Sequence, residues 1–212
     1  MTGILFDLDG TLLDTLQDLA DSLNHTLTWF GYPTRTVEET RRFVGNGVLK
    51  LIELAVPEGT DPIPVLTAFR EYYQAHCRIK TGPYPGIMAA LELLKKKYPI
   101  AVVSNKPDSA VKALCADFFP GIYALGESPD CPRKPAPDMV RKAMAAIGVD
   151  RCVYVGDSEV DVQTAKNAGV PCLSVTWGFR DEAEIHAAGG RYFCRKPEEL
   201  AACLEEMLSG QT

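Results

Sequence analysis

The stretch GILFDLDGTLLDT, residues 3–15, runs from an apolar segment directly into Asp7 and Asp9. GILF has the composition of a strand covered on both faces, where apolar residues follow one another without alternation. Two carboxylates one residue apart, just beyond such a strand, should repel each other. An isolated Asp-Gly pair is, by itself, also what an Asx turn or a helix cap looks like. Its position favours something more. In a parallel α/β sheet ligands bind outside the carboxyl ends of the strands, and close carboxylates persist there if a cation neutralises them or one stays protonated.

Working outward, four more short apolar runs bounded by turn residues follow: IAVVS (100–104), GIYAL (121–125), CVYVG (152–156) and PCLSVT (171–176). Helical patterns lie between them at 86–97, 107–117, 137–147 and 159–168, the first placing Ile87, Leu91 and Leu94 along one face. This alternation predicts an α/β fold, a Rossmann-like parallel sheet with helices on both faces. Residues 15–82 break the rhythm. They hold no strand-like run, but Leu16, Leu19, Leu23 and Leu27 recur at helical spacing, followed by VLKLIELAV and PVLTAFREYYQAHCRI. The expected organisation is a core of residues 1–14 and 83–212 and a small all-α unit, 15–82, inserted after the first strand. The Pro- and Gly-rich KTGPYPG (80–86) marks the return hinge.

Composition narrows the function classes. The 22 basic and 28 acidic residues among 212 give a formal charge of −6 with no long run of one sign, which argues against a nucleic-acid face. No apolar run reaches the ~20 residues of a membrane span, and acids stand where a signal peptide would be apolar. The seven cysteines, Cys77, Cys115, Cys131, Cys152, Cys172, Cys194 and Cys203, are scattered without a C-x-x-C pair, as in a reducing, cytoplasmic setting. His25, His76 and His186 stand far apart and read as structural or exposed.

The ends of later strands add complementary chemistry. VVSNKP ends in Ser104 and Asn105, a hydroxyl and an amide near the next helix N-terminus, where an anion can be bound. CPRKPAPDMV carries Lys134 on a stiff loop. YVGDSEVDVQTAKNAG runs a strand into Gly156-Asp157-Ser158, with Asp161 about one helical turn further on. Ser104 alone reads as a helix cap and Lys134 alone as a solvated lysine. Together they form an inventory of hard oxygen ligands, a hydroxyl and an ammonium, suited to Mg²⁺ and a phosphoryl group.

The ordered set D-x-D-G-T (7–11), S-N (104–105), K-P (134–135) and G-D-S-x-x-D (156–161) resembles the haloacid dehalogenase superfamily of aspartate-nucleophile phosphatases. The helical insert corresponds to that family's cap domain. FVGNGVLKLI (43–52) and WGFRDEAEI (177–185) look most like the phosphoglycolate phosphatase branch.

The resemblance implies a Mg²⁺-dependent hydrolysis of a small phosphorylated metabolite through an aspartyl-phosphate. Asp7 is then the nucleophile and Asp9 the general acid and base. Asp7, the Asp9 main-chain carbonyl and Asp157 hold the metal. Ser104 and Lys134 bind the transferring oxygens, Thr11 and Asn105 assist, and Asp161 orients Lys134 or metal-bound water. In the cap, the backbone of Gly45, Asn46 and Gly47 is a candidate contact for the substrate's distal carboxylate, with Arg41, Arg42 and Lys50 left open, as is Arg180 in the TWGFR stretch of the core. Related chemistries on the same motifs are phosphosugar mutase, nucleotidase and pyrophosphatase. The intact catalytic positions argue against a non-catalytic binding module. Monomer and homodimer are both compatible with the sequence.

Overall fold

The computed structural model describes residues 1–209. The chain divides into two compact units, Met1–Leu13 with Pro83–Thr212, and Asp14–Gly82.

In the first unit β1 (Thr2–Phe6) lies in the middle of a six-stranded sheet. The chain leaves the unit through β2 (Leu13–Asp14). Its second unit contains α1 (Leu16–Trp29), α2 (Val37–Phe43), α3 (Val48–Ala55) and α4 (Pro62–His76), and the chain returns through β3 (Gly82–Pro83), which pairs with β2. There follow α5 (Ile87–Leu94), β4 (Ile100–Pro107), α6 (Asp108–Phe118), β5 (Tyr123–Glu127), α7 (Asp138–Ala146), β6 (Arg151–Gly156), α8 (Glu159–Ala168), β7 (Cys172–Val175), α9 (Glu182–Ala187), β8 (Tyr192–Cys194), a 3₁₀ turn (Pro197–Glu199) and α10 (Leu200–Ser209).

The sheet order is β5-β4-β1-β6-β7-β8, with every pairing parallel. Ile4 stands beside Ile100 on one neighbour and Val153 on the other. Ile4, Leu5, Phe6, Val102, Val103, Val153 and Val155 have no exposed surface, which is why β1, β4 and β6 carry no polar alternation. The strand order is that of a doubly wound sheet, and it reverses between β1 and β6. Ligands collect beyond the strand ends at such a switch point.

The α/β fold and its parallel sheet are as the alternation predicts; the boundaries differ in instructive places. The segment at 86–97 is helical only to Leu94. Residues 95–98 close a turn instead, the N–H groups of Lys97 and Tyr98 both donating to the Leu94 carbonyl, at 3.0 and 2.9 Å, and Pro99 bars a continuation because it biases Tyr98 away from the helical region. The strand at 121–125 is displaced to Tyr123–Glu127, since Gly121 has φ +84° and cannot begin a strand.

The helical unit is built on the leucine spacing of α1. Leu19, Leu23 and Leu27 are buried, as are Ile52 and Ala55 on α3 and Val65, Phe69 and Tyr73 on α4. Local signals start its helices. Thr36 and Glu39 form a reciprocal capping box on α2, and Asp61 accepts from the Ile63 N–H ahead of α4, with Pro62 in the first turn. Among the described residues no helix is long and apolar enough to cross a membrane. Five cysteines are buried and all seven are free thiols; burial pushes those of Cys115 and Cys152 up to about 12.

Candidate active site

Asp7 follows β1 directly, its N–H donating to the Val155 carbonyl of β6 at 2.8 Å, so the main chain is pinned at the switch point. Its side chain is buried. Oδ1 accepts from the Leu8 N–H at 2.7 Å and faces the Lys134 ammonium at 2.9 Å. The next turn is tight: Gly10 takes φ +80°, and a Cβ there would collide with the Asp157 carboxyl. Only glycine combines that backbone with that approach.

Asp157 stands just past β6. It accepts from the Thr11 hydroxyl at 3.0 Å and the Phe179 N–H at 2.7 Å. Gly178 is packed so closely against it that any Cβ would overlap the carboxyl. Asp161 sits one turn into α8 with its two oxygens doing different things. Oδ2 accepts from the N–H and hydroxyl of Ser158, at 3.1 and 2.6 Å, completing the capping box of α8. Oδ1 faces Lys134 at 2.8 Å. The second half of the G-D-S-x-x-D pattern is thus partly a helix-start signal.

Lys134 is 2% exposed and lies between Asp7 and Asp161, with the Tyr154 hydroxyl also 3.1 Å from its Nζ. Asn105 fixes its main chain by a two-way exchange: Nδ2 donates to the Lys134 carbonyl at 3.0 Å and the Lys134 N–H to Oδ1 at 2.7 Å. Burial works against the lysine's charge, but Asp161 and then Asp7 outweigh it and hold its pKa well above the usual value.

Single carboxylate oxygens of Asp7, Asp157 and Asp161 can all lie within 4.8 Å of one another, and all three residues are buried. Burial, then the charge of Asp161, pushes Asp157 up to about 7. Burial also raises Asp7 well above the usual range despite Lys134. These three acids share one ammonium, that of Lys134, while Asp9 is paired separately with the Lys106 ammonium at 2.9 Å. The formal excess is two negative charges. A hard divalent cation on oxygen donors fits both the donor set and that deficit.

The structure brings together Asp7, Asp9, Thr11, Ser104, Asn105, Lys134, Asp157 and Asp161, all in the sheet unit. Two of them are engaged differently from the expected phosphate contact. The Thr11 hydroxyl is committed to Asp157, and the Asn105 amide to the Lys134 main chain, so both hold other site residues in place. Ser104 is buried within β4, where its register against β5 breaks after Val103, and its Oγ accepts from the Lys106 N–H at 3.2 Å.

Gly45, Asn46 and Gly47 lie in the other unit, in the turn between α2 and α3, with Gly47 at the N-cap of α3. Arg41 and Arg42 pair with Glu38 on their own helix at 3.0 and 3.1 Å, and Lys50 with Glu53 at 3.1 Å. Arg180 is largely buried and pairs with Glu159 at 3.0 Å.

Three contributors escape a reading of motifs. Trp177 donates its indole N–H to the Thr11 carbonyl at 3.1 Å, Phe179 supplies a main-chain donor to Asp157, and Lys106 meets Asp9. Trp177 and Phe179 belong to WGFR, a tryptophan and a glycine together in a loop, which was the one available signal.

Comparison with known proteins places these residues among relatives. The family model for haloacid dehalogenase-like hydrolases matches residues 4–175. A phosphoglycolate phosphatase of Cereibacter sphaeroides is 34% identical over 221 residues, covering 99% of this chain and 100% of that one. Another, of Mesorhizobium japonicum, is 36% identical and covers 84% of each chain. Among solved structures, a Lactobacillus delbrueckii subsp. bulgaricus protein crystallised as a candidate phosphoglycolate phosphatase gives a TM-score of 0.90 at 38% identity, over 95% of this chain and 97% of that one.

Proposed function

The chain belongs to the haloacid dehalogenase-like hydrolases, and from that premise we propose that it is a Mg²⁺-dependent phosphatase of a small phosphate monoester, phosphoglycolate first, working through a phosphoaspartyl intermediate on Asp7. The observation that carries this reading is the setting of Asp7: a buried carboxylate at the switch point, 2.9 Å from a buried lysine and clustered with Asp157 and Asp161. The names of the relatives support the choice of substrate.

In the first step an Asp7 carboxylate oxygen attacks phosphorus while the bond from phosphorus to the leaving oxygen breaks. The departing alkoxide takes a proton from Asp9. In the second step Asp9 takes a proton from water as the water oxygen attacks phosphorus, and the bond to Asp7 breaks. Phosphate leaves and both carboxyl groups return to their starting states. Lys134 offsets charge on the non-bridging oxygens, with Asp161 and Asn105 holding it in place, and the Ser104 hydroxyl is a donor to the same oxygens. Asp7, Asp157 and the Asp9 carbonyl would hold Mg²⁺, whose charge offsets the repulsion between an anionic nucleophile and an anionic substrate.

Phosphate release from phosphoglycolate and p-nitrophenyl phosphate, with and without Mg²⁺, tests the proposal. Turnover that needs the metal and disappears in Asp7→Asn supports it. Undiminished turnover in Asp7→Asn overturns it.

A further inference from the structure

Lys106 follows Ser104 and Asn105, and as a lone lysine near a strand end it would normally run its stem over the surface and put its ammonium in water. Here its side chain is 5% exposed. Local backbone geometry explains the difference. The register of β4 against β5 shifts between Val103 and Pro107, an irregularity that re-aims side chains, as bulges beside active sites do. Ser104 braces the departure by accepting from the Lys106 N–H at 3.2 Å. Asn105 then fixes the main chain of Lys134, and Lys106 reaches the Asp9 carboxylate at 2.9 Å. One irregular stretch thereby serves two groups, the cation beside the nucleophile and the carboxyl two residues beyond it.

Asp9 sits in a turn rather than a strand, with a single bridge to Leu13 around a glycine of positive φ. The Lys106 contact restricts the rotamer of its carboxyl, and general acid catalysis demands placement within hydrogen-bond reach of the leaving oxygen. We infer that Lys106 is a positioning residue for the reaction: it orients the Asp9 carboxyl toward the leaving-group oxygen. This rests on the reading of Asp9 as the acid and base. Asp9 still supplies the proton that the leaving oxygen accepts as its bond to phosphorus breaks; Lys106 transfers nothing.

The test compares leaving groups. An alkoxide such as that of phosphoglycolate needs a proton to depart, whereas p-nitrophenolate does not. For Lys106→Met and Lys106→Gln, kcat/KM is measured for both substrates on the same enzyme preparation. Taking their ratio cancels any loss of folded protein. The ratio of phosphoglycolate to p-nitrophenyl phosphate is expected to fall at least about tenfold in Lys106→Met, part of the roughly 10²–10⁴-fold that a general acid supplies. Asp9→Asn is the reference. If its ratio falls while that of Lys106→Met and Lys106→Gln holds at wild type, the role of Lys106 is overturned and the proposed function stands. If the ratio in Asp9→Asn does not move, the acid assignment itself fails, and this inference with it.

Discussion

Two regions of the molecule bury aspartate, and they do so in opposite ways. In the helical unit Asp18 of α1 is 2% exposed and accepts from three consecutive main-chain donors, Ile79 at 3.0 Å, Lys80 at 2.9 Å and Thr81 at 2.8 Å. Its lone pairs are consumed by backbone N–H groups, and it ties the return segment to α1. In the sheet unit Asp7, Asp157 and Asp161 crowd together, with one lysine shared between Asp7 and Asp161. Burial alone therefore does not mark a working carboxylate. What separates the two regions is whether local donors neutralise the charge or leave a deficit that a ligand must fill.

The sharpest way to break that contrast is to exchange charge for amide in each region. Asp7→Asn should cut kcat by at least about 10⁴-fold, the scale of losing a covalent nucleophile, while the folded state is retained in circular dichroism. Gly178→Ala drives a Cβ into the Asp157 carboxyl, so Mg²⁺ affinity and kcat/KM should drop by about 10²-fold, the cost of displacing a catalytic group by about 1 Å. A Mg²⁺ titration of activity reads both. Asp161→Asn keeps the α8 cap acceptor but removes the charge facing Lys134. A loss of roughly 10–100-fold in kcat/KM is expected, as for partners that orient a working residue.

Asp18→Asn should reverse the pattern. It weakens bonds to a charged acceptor worth about 1.5–3 kcal/mol, so the midpoint of urea unfolding should fall. Comparable damage to stability from Asp7→Asn in metal-free protein would erase the distinction between the regions.

A smaller effect concerns pH. Asp157 is pushed up to about 7 in the folded chain from an ordinary value of 3.8, and Asp7 is raised in the same direction. A raised folded-state value means that the native protein holds protons the unfolded chain has released. Stability of the metal-free protein should therefore decline as pH rises from about 4 to 7. Mg²⁺ relieves the same repulsion, so its gain in Tm should amount to a few degrees at pH 8 and less at pH 5. Differential scanning fluorimetry at both pH values measures it, and equal gains would contradict the assigned charge deficit.

Much of the fold was legible because buried parallel strands cannot hide their composition. GILF, IAVVS and CVYVG each lie within a strand of the sheet. Asp7 and Asp157 were legible because charge at the end of such a strand has few packing explanations; Lys134, on the loop between β5 and α7, reads alone as a solvated lysine and gained meaning only beside them. Other features depend on distances that spacing does not encode. Nothing local in SNKP separates Lys106 from a solvated lysine; the shifted register of β4 aims it. The Thr11 hydroxyl and Asn105 amide have the chemistry of phosphate donors, and only the folded chain shows them occupied by Asp157 and Lys134. The short elements α9 and β8 were missed for different reasons. Asp181 and Glu184 do carry a capping-box signature, whereas the three residues of β8 are too few for any periodicity.

The central claim is a covalent bond between phosphorus and one side chain. Quenching the enzyme during turnover of phosphoglycolate, reducing with borohydride and mapping peptides by mass spectrometry tests it most directly, since reduction converts an aspartyl-phosphate to homoserine. The account predicts homoserine at position 7 and nowhere else, dependent on substrate and Mg²⁺. Reduction at another carboxylate, or an unmodified position 7 under conditions of full turnover, would contradict it.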